Sequence, residues 1–132
     1  QVHAADMPVT FTGYLSGAAL VQAYEEADIF VFPSTTDTYG KVVLEARAAG
    51  LAVVVSGQGG PRENVAPDKS GIVVRQETAE AYASAMVALA SDEAMLFAMK
   101  REARCYAESR SSQKAFAAQW KLIETLTPQA CW

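Results

Sequence analysis

The chain has 132 residues, 51% of them hydrophobic, enough apolar surface for one core and too much for a disordered tail or linker. A net charge of −4 with no run of Lys or Arg argues against nucleic acid or an anionic membrane as the main partner. Two thiols, Cys105 and Cys131, with no recognisable signal peptide, argue against a disulfide framework and fit a reduced, cytoplasmic setting, and no apolar run reaches the roughly 18 to 20 residues that span a bilayer.

Residues 1–8 read as a polar tail. It carries the single histidine, His3, so no His-based nucleophile or His-containing metal cluster can be assembled, and His3 is given no role. Four short apolar runs follow, rich in β-branched and aromatic residues and closed by Gly, Pro or Ser: Val9 to Thr12, Ile29 to Phe32, Val53 to Ser56 and Ile72 to Val74. They predict buried parallel strands. Helices are expected between them, over Ala18 to Ala27 after Ser16-Gly17, over Lys41 to Ala49 with Gly50 as the stop, and over Thr78 to Ala90, where Tyr82, Met86, Leu89 and Ala90 recur at helical spacing. A short turn is expected at Asn64 to Ala66. From Asp92 to Leu126 strand signals cease, and the sequence predicts two helices joined near Ser109 to Ser112, with Ser111 or Ser112 as N-cap. The Phe116, Trp120 and Ile123 stripe on the second reads as packing.

Strand and helix in alternation give an α/β fold: a partial Rossmann-like parallel sheet of about four strands with flanking helices and a C-terminal helical pair. One domain covers the chain, with the tail at 1–8, the α/β core at 9–91 and the C-terminal helices at 92–126.

The segment from Pro33 to Gly50 holds the most chemistry. It reads as a strand end, a polar loop, a glycine and then a helix, and it sets Asp37 and Glu45 eight residues apart across the helix N-terminus. Helix-start N–H groups favour phosphates, and ionised carboxylates accept paired hydroxyl hydrogen bonds. A diphosphate flanked by two polyhydroxylated rings fits that layout, as in a nucleotide-sugar.

These residues resemble a known family. Asp37-x7-Glu45, with Tyr39-Gly40 inside it and Glu-Ala-x-Ala-x-Gly after it, is similar to the Glu-x7-Glu signature of retaining nucleotide-sugar glycosyltransferases of the GT-B fold, the glycosyl transferases of group 1 or family 4. Val9 to Gly13, Ala27 to Ser34, Gly50 to Ser56, Gly59 to Asn64 and Ser70 to Val74 follow in the family's order and spacing, so the resemblance runs from Val9 to about Tyr106. It implies the C-terminal, donor-binding domain of such an enzyme, in part.

The resemblance also implies roles. Glu45 would bind the ribose diol, Asp37 with Thr38, Tyr39 and Gly40 the transferred sugar, and Gly40, Lys41 and Val42 the phosphates. Tyr14 and Leu15 would lie by the nucleobase, and Gly59, Gly60, Arg62 and Glu63 would form a loop near the cleft. The residues alone leave alternatives open: a solvated helix glutamate at Glu45, an N-cap or Asx-turn at Asp37, a tight turn at Gly40, a solvated lysine at Lys41, a surface tyrosine at Tyr14 and a turn cap at Glu63. Glu45 stands in a largely apolar sequence, where an unpaired carboxylate would be costly.

The donor expected from the resemblance is an NDP-sugar, a UDP- or GDP-sugar first, with no metal or other cofactor required. Asp37 departs from the family's glutamate by one methylene and reaches a shorter distance, so the sugar is left unassigned. The acceptor domain and the first two strands of the donor domain, with the basic residues that neutralise the diphosphate, have no counterpart in this sequence, so no catalytic residue is assigned and the chain alone is expected to be inactive. Polysaccharide biosynthesis is the broader setting implied. A non-catalytic nucleotide-binding or assembly module on the same half-fold is the alternative. In the family order 3-2-1-4-5-6, two strands would lie between Val9 to Thr12 and Ile29 to Phe32. The expectation is that these two pair directly, in a four-stranded sheet in chain order; edge pairing in a homodimer is the alternative.

Overall fold

A computed structural model of the chain describes residues 8–65 and 69–109. A first helix, α1 (Gly17–Glu26), leads into β1 (Ile29–Phe32), α2 (Lys41–Ala48), β2 (Ala52–Ser56), a 3-10 turn (Pro61–Asn64), β3 (Gly71–Val74), α3 (Ala79–Ser91) and α4 (Glu93–Ser109). The strands form one parallel sheet in the order β1-β2-β3, with Ile29 opposite Ala52 and Val53 opposite Gly71.

The central strand is buried at all five positions, as a parallel strand covered on both faces must be. Alternation sends its side chains to opposite layers. Val53 and Val55 pack with Val43, Ala46, Leu51 and Val65 on the α2 side, while Ala52 and Val54 pack with Ala85, Leu89 and Met99 on the side of α3 and α4. The result is a three-layer α/β/α arrangement.

Caps set the helix boundaries. Thr78 Oγ1 accepts from the Ala81 N–H at 3.3 Å to open α3, and Asp92 Oδ1 accepts from the Met95 N–H at 2.9 Å to open α4. The α2 helix ends where Gly50 takes φ +83°, its N–H reaching the Arg47 carbonyl at 2.9 Å and the Leu51 N–H the Ala46 carbonyl at 3.1 Å. Helix α4 passes the amino ends of the strands: Lys100 Nζ lies 2.7 Å from Asp28 Oδ1, just before β1, and further along Tyr106 reaches the α2 side.

The structure corrects the expectation of a fourth strand. Residues 8–14 form no strand and are exposed, Phe11 to 85%, and among the described residues the sheet has three strands with β1 at its edge. Alternating Val9 and Phe11 supply strand propensity but not a neighbour. In the strand order implied by the resemblance, two strands stand between this segment and β1, so the segment is not the neighbour that β1 would take. The second C-terminal helix, its Ser111 or Ser112 cap and the Phe116, Trp120 and Ile123 stripe lie outside the described residues, as do His3, Ala66 and Cys131. The expected turn near Asn64 is a 3-10 turn that begins at Pro61.

Candidate functional site

Ligands of open α/β sheets gather at the carboxyl ends of the strands. Here those ends carry three segments: Pro33 to Gly40 after β1, Gly57 to Gly60 after β2, and Arg75 to Thr78 after β3. The first two are locked together.

Asp37 organises the first loop. Its Oδ1 accepts from the Tyr39 N–H at 3.0 Å and the Gly40 N–H at 2.6 Å, the Asx-turn that the sequence left as an alternative. Gly40 is the residue before α2, buried, at φ +68° and ψ +46°, and a Cβ there would stand 2.8 Å from Pro61 Cα. Only glycine fits both the left-handed backbone and the close approach. Its N–H is committed to Asp37, so the N–H groups that helix geometry leaves directed out of the α2 start are those of Lys41 and Val42. The Lys41 side chain is exposed.

From the second loop, the Gly60 N–H donates to the Asp37 carbonyl at 2.9 Å, and a Cβ on Gly60 would overlap the Thr38 carbonyl. Arg62 Nη1 donates to the Gly57 carbonyl at 2.9 Å, turning that side chain back onto its own loop. Glu63 is exposed, and its carbonyl accepts from the Tyr106 hydroxyl at 3.1 Å.

Glu45 lies on the outer face of α2, about 6 Å along the axis from Lys41. It is exposed, so the cost expected from its apolar sequence neighbours does not arise: Val43 and Ala46 point into the core and Glu45 does not. Its side chain faces a groove of about 610 Å³ between α1 and α2, whose walls include Leu20, Val21, Tyr24, Ala48 and Arg104. Burial, and secondarily the Glu45 charge, raises the Tyr24 phenol above its ordinary pKa. Tyr14 is 93% exposed and precedes α1, and neither it nor Leu15 lines that groove.

Three features were not anticipated. The buried Asn64 side chain donates through Nδ2 to the Tyr39 carbonyl and so ties the 3-10 turn to the Asp37 loop. The Arg47 guanidinium, fully buried on α2, lies 3.8 Å from the centroid of the Tyr106 ring. At the β3 end, Glu77 accepts from Ser56 Oγ through one carboxylate oxygen and from the Tyr82 hydroxyl through the other, each at 2.6 Å. Those two bonds, Ser56 first, hold the Glu77 carboxyl below its ordinary pKa against the effect of burial; burial and then Glu77 push Tyr82 up to about 12. Glu77 and Tyr82 also line an apolar groove of about 690 Å³ with Val31, Pro33, Thr35 and Met86. Partners 21 residues apart leave no local motif, although the helix that follows Glu77 is legible in the sequence over Thr78 to Ala90.

Comparisons with known proteins give the family and the fold. The family described as glycosyl transferases group 1 matches residues 1–92. The chain is 48% identical over 65 residues to the sulfoquinovosyl transferase SQD2 of Arabidopsis thaliana, covering 49% of this chain and 13% of that protein. It is 45% identical over 64 residues to a GDP-mannose-dependent alpha-mannosyltransferase of Mycolicibacterium smegmatis, covering 48% and 17%. Among solved structures, sucrose-phosphate synthase of Thermosynechococcus elongatus superimposes with a TM-score of 0.77 at 28% identity, over 89% of this chain and 29% of that one. HepE of Anabaena, solved with UDP, gives 0.70 at 22%, over 83% and 30%, a likeness of fold. The chain thus spans less than a third of each of these proteins. With a family match over more than half its length and a fold that superimposes on a solved relative, the chain belongs to the glycosyl transferases group 1 family.

Proposed function

We propose that the chain is the donor-binding part of a retaining glycosyltransferase that moves a sugar from a nucleotide-sugar to an acceptor. The observation that carries this reading is the pinned turn between β1 and α2. Asp37 holds Gly40 in the left-handed conformation, and that frees the Lys41 and Val42 N–H groups at the start of a helix whose outer face bears Glu45. A diphosphate belongs at those N–H groups and the Lys41 ammonium. The ribose diol belongs on Glu45, where two carboxylate oxygens can each accept one hydroxyl. The sugar hydroxyls fall to Asp37 Oδ2, since Oδ1 already serves the turn, with Thr38 and Tyr39 beside it.

Support for a nucleotide-sugar comes from HepE, solved with UDP, and from the mannosyltransferase relative named for GDP-mannose. Uridine and guanosine donors are therefore the first to try. The nucleobase is assigned to the side of Tyr14 and Leu15, next to the α1 start. No metal is required in this reading. Stabilising the departing nucleoside diphosphate is an electrostatic task, and it is assigned, with acceptor binding, to the remainder of the fold, of which this chain is less than a third in the solved neighbours. Titration calorimetry of the protein bearing this segment with UDP-, GDP- and ADP-sugars tests the proposal. Micromolar to millimolar binding of one is expected, and binding of none would overturn it.

Among the described residues β1 pairs on one side only, and that favours a second reading, a nucleotide-binding or assembly module without catalysis of its own, since unpaired edges recruit strands. A concentration-dependent dimer in sedimentation, together with no sugar transfer, would select it.

A further inference from the structure

We infer that Glu77 is a positioning residue for the donor cleft, acting through Ser56 to fix the Gly57 to Gly60 loop against the Asp37 loop. The inference rests on the donor-site reading of the Asp37 to Glu45 segment. It begins with a chain of hydrogen bonds. Glu77 stands just beyond β3, and each of its carboxylate oxygens accepts from a different hydroxyl, Ser56 and Tyr82, at 2.6 Å, the length of a charge-assisted O–H to carboxylate bond. Neither oxygen is left to wander.

Ser56 ends β2 and is fully buried; its hydroxyl donates to Glu77 while its oxygen accepts from the Gln58 N–H at 2.9 Å. One hydroxyl thus couples a carboxylate on the third strand end to the backbone of the second. Next to it, the Gly57 N–H donates to the Val74 carbonyl at 2.7 Å, and the Gly60 N–H reaches the Asp37 carbonyl. The two loops touch closely enough that a Cβ on Gly60 would overlap Thr38 and one on Gly59 would stand 3.0 Å from the Asp37 carbonyl. A loop this tightly apposed cannot shift without moving the backbone of Asp37 and Thr38, where the sugar is placed.

A plain alternative is that Glu77 only tethers the start of α3 through Tyr82. Hydrogen exchange by NMR separates the two in the protein bearing this segment. Glu77→Ala is expected to speed exchange of the Gln58 and Gly60 amides about tenfold, the factor for one lost hydrogen bond, and to weaken UDP-glucose or GDP-mannose binding by a similar factor, with bare UDP or GDP affected less. Glu77→Gln, which can still accept from one hydroxyl and donate to the other, is expected to restore most of both effects. Tyr82→Phe is expected to leave Gly60 unchanged. If Glu77→Ala does not fold, Ser56→Ala cuts the same chain and should accelerate the same two amides. Acceleration confined to α3 amides, or no rescue by glutamine, would overturn the proposal. Loss of all nucleotide binding in the unsubstituted protein would instead overturn the donor-site reading, while the exchange rates still decide the coupling.

Discussion

The Asn64 side chain donates its amide to the Tyr39 carbonyl across 25 residues of sequence, and so clamps the turn before α2 from outside while Asp37 clamps it from within. Asn64 is buried, Tyr39 is not, and the bond lies between them like a hinge pin. The turn's shape is therefore shared property of two loops.

Asp37 carries structural and binding tasks on different oxygens, and two substitutions separate them. Asp37→Ala removes both acceptor bonds at the α2 start and is expected to cost about 1 kcal/mol of stability in urea denaturation, the usual scale of a lost cap. Asp37→Asn keeps an acceptor oxygen. It should hold stability, weaken the sugar-nucleotide and spare the bare nucleoside diphosphate; equal losses for both ligands would remove Asp37 from the sugar.

For Glu45 the expectation is a binding effect without a folding effect, because the side chain is exposed on α2. Glu45→Gln should weaken nucleotide-sugar binding by about 1.5 to 3 kcal/mol, the scale for a charged acceptor, with an unchanged melting curve. An unaltered dissociation constant by calorimetry would take the ribose away from it.

Lys41 opposes the α2 dipole from the first turn. Lys41→Ala is accordingly expected to leave stability level or raise it by a few tenths of a kcal/mol while affinity for the bare diphosphate falls. A stable variant with full UDP and GDP affinity would return Lys41 to the solvated surface.

Gly60→Ala and Gly40→Ala should both destabilise by about 2 kcal/mol or more, the first through overlap with Thr38 and the second through a left-handed backbone pressed on Pro61. Equal stability in either variant would mean that the loops part easily.

The Glu77 and Tyr82 pair gives a pH signature. Glu77 has a folded pKa below its unfolded value, so its contribution is present above the unfolded pKa and is lost as pH falls through the folded one. Tyr82 is raised to about 12, so its contribution is present below about 10 and is lost as pH rises through 12. Glu77→Gln should flatten the acid limb of stability against pH, and the phenolate absorbance of Tyr82 should then titrate below 12. Tyr82 titrating unchanged would mean that its hydroxyl does not donate to Glu77 in solution.

Local pattern revealed much of this fold, and long-range pairing set its limit. Ile29 to Phe32 is a strand as expected, Lys41 and Gly50 bracket a helix, and Thr78 caps the next, because apolar runs and capping residues act over a few positions. Val9 to Thr12 has the composition of a strand, but a strand needs a neighbour, and composition carries no information about one. The Asp37 and Glu45 spacing was visible; the exposure of Glu45 was not, since its apolar sequence neighbours occupy other faces of the helix. Glu77 and Asn64 escaped notice because each acquires its meaning from a partner more than 20 residues away.

Helix α1 contributes no fully buried residue, yet its Tyr24 and Leu20 form a wall of the groove that Glu45 faces. An element with so little of its surface in the core is expected to open more readily than the helices that bury residues against the sheet, which hydrogen exchange would show. A nucleotide settling there would have to quiet that helix, and part of its gross attraction would go into lost conformational freedom rather than measured affinity. On the proposed donor reading, stiffening α1 with alanine at exposed helix positions that do not line the groove, such as Gln22, is thus expected to tighten nucleotide binding without altering the groove wall.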